Sequence, residues 1–165
     1  MDNTHTHRLH ELLRSDLTPT SVYAAIDPAA LTHNYRLLAD RAKAAAGQEL
    51  TPIAVVKADA YGHGIRICAE ALAQAGCHAF AVACIEEAVA LRQVLEENSA
   101  DGTVLILGYT APACAALLAA HRLTAALVSA DHARRMSDAA CAAGVRVRAH
   151  IALDTGMNRI GLAAH

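Results

Sequence analysis

Aromatic side chains are almost missing from this chain: its 165 residues include one Phe and no Trp. Without aromatics interleaved among basic residues there is no platform for stacking nucleobases. A formal net charge of -2 leaves no basic stripe for a phosphate backbone, so no nucleic-acid partner is expected. Long apolar runs are missing as well. No uninterrupted stretch reaches membrane length, and no charged-then-apolar signal opens the chain, so a cytoplasmic protein with no membrane partner is expected. Five cysteines occur, Cys68, Cys77, Cys84, Cys114 and Cys141, an odd number with no Cys-x-x-Cys pair. That argues against a disulfide framework, and reduced thiols serving as small core residues are expected. What the chain does have is 55% hydrophobic and 18% charged residues, a globular composition for one domain with a sizeable core. Much of the apolar content is alanine, which buries little area per residue, so helices should pack tightly with a thin hydrophobic margin.

Residues 1–20 are polar and place His5, His7 and His10 close together. Three histidines are conceivable metal ligands, but no carboxylate or cysteine completes a set at the usual spacing. A flexible tail over 1–20 is expected instead, with no metal, and a structured domain over 21–165. Residues 22–26 read as a short strand. Asp27 and Pro28 then start a helix, one as cap and the other at the first helical position, which runs to about Gly47. Downstream, strands are expected at 53–56, 79–83, 103–107, 124–128 and 145–153. Helices are expected at 63–75, 85–97, 112–120 and from Ser129 to Gly144. Strands alternating with short helices argue for α/β architecture with a parallel sheet.

The run 53–56 is apolar, reads as a buried strand, and ends on Lys57. Apolar surroundings favour the neutral form of an amine, which can form a Schiff base with an aldehyde. Gly62 and Gly64 let the backbone turn tightly, and Tyr61 offers a hydroxyl suited to a phosphate oxygen. Together they suggest a phosphorylated aldehyde cofactor, pyridoxal 5'-phosphate. Residue types alone leave open a plainer account, a strand ending in an exposed lysine and a solvated turn. The string Val55-Val56-Lys57-Ala58-Asp59-Ala60-Tyr61-Gly62-His63-Gly64 resembles the cofactor-attachment motif of the bacterial alanine racemases. The resemblance implies that Lys57 carries the cofactor and acts in catalysis, and that Tyr61 touches the phosphate.

A second stretch, from Asp154 through Gly156, Asn158 and Arg159 to Gly161, is similar to another motif of that family. Taken alone it could be a polar loop with a solvated arginine. The resemblance implies that Arg159 binds the substrate carboxylate. The likeness spans roughly 22–161, including Ala25-Ile26-Asp27 with Leu31 and Asn34. One departure is Ala152, where many members have a carbamylated lysine that bonds the arginine. The other is length. The family fold is a (β/α)8 TIM barrel followed by a C-terminal β domain, so this chain reads as an incomplete barrel with about five of eight strands. The family's second catalytic group is a tyrosine supplied across a homodimer interface from that second domain. The resemblance thus implies interconversion of L- and D-alanine for peptidoglycan, by proton abstraction and return at Cα, with this piece inactive alone. The alternatives are a non-catalytic pyridoxal phosphate-binding module and a serine racemase.

Overall fold

The structure, a computed structural model, describes residues 24–163. The tail 1–20, with His5, His7 and His10, lies outside the described residues. Of the strand expected at 22–26, the first two residues lie outside them too, and 24–26 form no strand. Helix α1 (Pro28–Ala46) begins where the sequence signals it. The Asp27 carboxylate accepts the amides of Ala29 at 2.8 Å and Ala30 at 3.2 Å, and Gly47 closes the helix at φ 62°.

Five short strands follow: β1 (Ala54–Val55), β2 (Ala79–Val82), β3 (Thr103–Ile106), β4 (Leu123–Leu127) and β5 (Arg148–Ile151). They form one parallel sheet in chain order, with Phe80 opposite Ala54 and Val104, and Ala125 opposite Ile106 and Ala149. The connections carry α2 (Ile65–Gln74), α3 (Ile85–Glu97), a 3-10 turn (Pro112–Cys114) with α4 (Ala115–Ala120), and α5 (Ala130–Ala142). A short parallel pair, β6 (Leu153–Asp154) with β7 (Leu162–Ala163), follows β5. Parallel strands joined by helices in sequential order are the repeating unit of a β/α barrel, whose functional groups gather at the strand C-terminal ends.

The core lies where a strand is flanked on both sides. All four residues of β2 are buried, as are Val104, Leu105 and Ile106 of β3, and of these Phe80, Val82, Val104 and Ile106 share one core with Leu91, Leu95 and Leu118 of the helices. Such strands read as continuous apolar runs because both faces are covered. Arg92 is 1% exposed within this core. Its Nε donates to His121 O at 3.0 Å and its Nη2 to Gly102 O at 2.9 Å, tying α3 to the segments that lead into β3 and β4. Burial and the neighbouring Arg122 guanidinium push its pKa down.

Other expectations need correction, among them the strand at 145–153, which forms only over Arg148–Ile151 before the separate β6. β1 is shorter than 53–56 and is not a buried strand: Val55 is 40% exposed, since among the described residues β1 pairs with β2 alone, and only Val56 is buried. The cysteines are free thiols, but they do not all fill the core: Cys68 and Cys77 are buried, Cys84 and Cys114 half-buried, and Cys141 exposed on α5.

Candidate active site

The chain leaves β1 through Val56 and enters one helical turn, Lys57–Gly62, of the opposite hand to an α-helix. Four consecutive non-glycine residues take left-handed angles: Ala58 (φ 51°, ψ 53°), Asp59 (52°, 48°), Ala60 (53°, 47°) and Tyr61 (56°, 35°). Left-handed helical geometry costs L-residues about 1–2 kcal/mol each, so the turn holds several kcal/mol of strain. The surroundings have to enforce it, and specific bonds do so. Ala60 N–H donates to Val56 O at 3.0 Å and Gly64 N–H to Asp59 O at 2.9 Å. The Asp59 carboxylate accepts Ile65 N–H at 2.7 Å, fastening the turn to the start of α2. Glu87 of α3 accepts Ala58 N–H at 2.7 Å. His63 Nδ1 lies 3.0 Å from Ala60 O and carries the proton in that bond.

The turn brings two of the expected site residues together. Lys57 is half-buried at the C-terminal end of β1, and its Nζ lies 6.0 Å from the centroid of the Tyr61 ring. Tyr61 is itself 59% exposed. Behind the turn an apolar cleft of about 510 Å³ separates it from α1, lined by Leu31, Asn34, Val56, Ala60, Tyr61 and Leu72.

Arg159 sits on a different loop, after the last strand of the sheet. The Asp154 carboxylate organises that loop by accepting the amides of Gly156 and Asn158, each at 3.0 Å. These bonds, Asn158 first and then Gly156, hold the Asp154 carboxyl below the usual carboxylate range. Gly161 returns the chain at φ 121°, and a Cβ there would sit 2.7 Å from Asp154 N, so only glycine fits. Leu162 N–H then donates to Ala152 O at 2.8 Å and closes the loop. Arg159 is exposed; its Nη2 lies 3.1 Å from Met157 Sδ, and among the described residues no carboxylate pairs with it.

Lys57 and Arg159 therefore occupy the same rim, the C-terminal ends of parallel strands, but at opposite edges of the five-strand order, and no described contact joins them. Between them the rim carries a buried histidine that sequence reasoning missed. Val128 N–H donates to His132 Nδ1 at 3.3 Å, so Nε2 holds the proton and donates to Thr110 O at 2.8 Å. The Tyr109 ring packs against this imidazole at a tilt of 41°, centroids 4.6 Å apart. Glu87 was missed as well, whereas Asp154 opens the second motif without a role assigned to it. A carboxylate at the start of a helix or loop gives a sequence signal only for local capping, and Asp154 two residues before a glycine is such a signal.

With this geometry in place, the chain can be set beside known proteins. The family model described as "Alanine racemase, N-terminal domain" matches residues 26–165. The alanine racemase of Geobacter sulfurreducens is 40% identical over 147 residues, covering 89% of this chain and 36% of that protein. The serine/alanine racemase of Enterococcus gallinarum is 42% identical over 110 residues, 67% of this chain and 15% of that protein. The crystal structure of alanine racemase from Bartonella henselae with covalently bound pyridoxal phosphate superposes with a TM-score of 0.69 at 35% identity, covering 84% of this chain and 36% of that one. The chain spans about a third of the length of curated alanine racemases that it matches.

Proposed function

The chain belongs to the alanine racemase family, as its N-terminal domain, and from this membership we propose that it carries the cofactor-holding part of a pyridoxal phosphate-dependent enzyme interconverting L- and D-alanine. The observation that carries the reading is the strained left-handed turn that sets Lys57 and Tyr61 side by side at a strand end. Strain of this kind persists where surrounding structure enforces it, and it clusters at working sites.

The donor set fits the cofactor. Lys57 offers a primary amine for the aldehyde, and Tyr61, on the same turn, a hydroxyl for a phosphate oxygen. The guanidinium of Arg159 has no described carboxylate partner, and its fork suits a substrate carboxylate. When bound, pyridoxal phosphate supplies an electron sink that acidifies the Cα proton of an amino acid. Lys57 Nζ would then take or return that proton on one face, a contribution of about a hundredfold to ten-thousandfold in rate for a well-placed acid/base. Inversion needs a second acid/base on the opposite face. The family likeness assigns it to a tyrosine of a partner protomer, so the reading includes a homodimer and a product destined for the peptidoglycan of the cell wall. The Enterococcus gallinarum relative, named a serine/alanine racemase, supports serine as a second substrate to test. Among the described residues no helix is long and apolar enough to cross a membrane.

The test is borohydride reduction of the whole protein with pyridoxal phosphate, followed by peptide mapping and by chiral chromatography of alanine and serine. The cofactor label should fall on Lys57, and alanine should be inverted. A label on another lysine would overturn the assignment.

A further inference from the structure

Glu87 is the third residue of α3, and its carboxylate makes two bonds that lead in different directions. Oε2 accepts Ala83 N–H at 2.8 Å, just before its own helix. That bond has a local explanation: Cys84, the cap residue, makes no side-chain capping bond, and a glutamate at this position commonly reaches back to a free amide. The other bond has no local explanation. Oε1 accepts Ala58 N–H at 2.7 Å across 29 residues, and that amide belongs to the peptide joining Lys57 to the left-handed turn.

The place of this bond in the sheet gives it meaning. The ladder between β1 and β2 ends with Val56 N–H donating to Ala81 O at 2.8 Å. Beyond it the two chains diverge, one into the lysine turn and the other into α3. The next amides on each side, Ala58 and Ala83, are bridged by the single carboxylate of Glu87. The bridge fixes the plane of the Lys57–Ala58 peptide, and with it the direction in which Lys57 leaves the strand. Ala58 is also the first left-handed residue, at φ 51°, so the bond acts where the hand of the backbone reverses.

We propose that Glu87 is a positioning residue for Lys57, its carboxylate clamping the Lys57–Ala58 peptide to the end of β2 so that the amine is presented in one direction. The proposal rests on the reading of Lys57 as the cofactor-bearing amine.

The test uses the whole protein with Glu87→Asp and Glu87→Gln. Aspartate keeps a carboxylate at the start of α3 but is one methylene too short to span both amides; glutamine keeps the length with a single acceptor oxygen. Hydrogen exchange by mass spectrometry, without cofactor, should show peptides over 57–64 exchanging about tenfold faster in Glu87→Asp, the factor expected for one lost charge-assisted bond. Peptides over 85–97 should stay within about twofold of the parent, since a carboxylate still caps that helix. Borohydride labelling of Lys57 at limiting pyridoxal phosphate should slow in parallel, with Glu87→Gln between the two. Unchanged exchange over 57–64, or equal acceleration over 57–64 and 85–97, would overturn the clamp. Failure of the parent to be labelled at Lys57 would count against the racemase reading instead, and the exchange result would still decide the clamp.

Discussion

At the residue scale, the loop bearing Arg159 depends on one ionised group. The Asp154 carboxyl is held below its usual range by the amides of Asn158 and Gly156. A depressed carboxylate contributes stability that is full above its unfolded pKa, about 3.9, and is lost as pH falls through the lower folded value. The order of loop 154–161 should therefore be constant from neutral pH to about pH 5 and fail only below about pH 4. Asn158 and Gly156 amide shifts followed by NMR would check this, and Asp154→Asn should loosen the loop at neutral pH. Arg159 has a separate test. Arg159→Lys keeps the charge but loses the fork, so kcat/KM for alanine should drop by about tenfold or more. Unchanged steady-state kinetics would remove Arg159 from substrate binding.

At the element scale, the lysine turn is where local preference and observed structure disagree. Ala58 is exposed and left-handed, so its methyl group adds strain without packing. Ala58→Gly removes that strain but loosens the unfolded chain, and the net change should lie within about 1 kcal/mol of zero. Ala58→Val places a β-branched side chain at φ 51° and should destabilise by more than about 1 kcal/mol. Urea unfolding of the three proteins should give that order. The same element shows what the sequence could and could not reveal. Helix α3, expected at 85–97, forms over Ile85–Glu97, and α1 starts at the Asp27 cap, because these signals are local. The right-handed helix expected from His63 starts instead at Ile65. Nothing in the order Ala-Asp-Ala-Tyr asks for a left-handed turn, and the bond that meets its first left-handed residue comes from Glu87, far along the chain. Lys57 and Tyr61 meet because they are four residues apart on one turn, and Asp154 caps a loop that begins with a local signal before Gly156, whereas the Glu87 bond to Ala58 spans 29 residues and no local pattern displays it.

At the scale of the whole molecule, burial falls off from the middle of the sheet to its edges. β2 is fully buried, whereas every residue of β5 is exposed, and Ile53, Val55, Ile151 and Leu153 present apolar surface near the two edge strands. Closing a barrel removes such edges, because each strand then has two neighbours. Among the described residues β1 and β5 have one sheet neighbour each, which leaves a row of backbone donors and acceptors on both sides. The alanine-rich helices add little buried area to offset that exposure. On the proposed reading, in which the second acid/base comes from a partner protomer, the 165-residue chain expressed alone should self-associate and should not racemise alanine at an appreciable rate. Light scattering and chiral chromatography on one sample would check both halves of the prediction. Cofactor attachment without inversion would agree with a single-base site. A monodisperse 165-residue protein that inverts alanine as fast as a complete racemase would show that these edges are satisfied in some other way and that the second base lies within the chain itself.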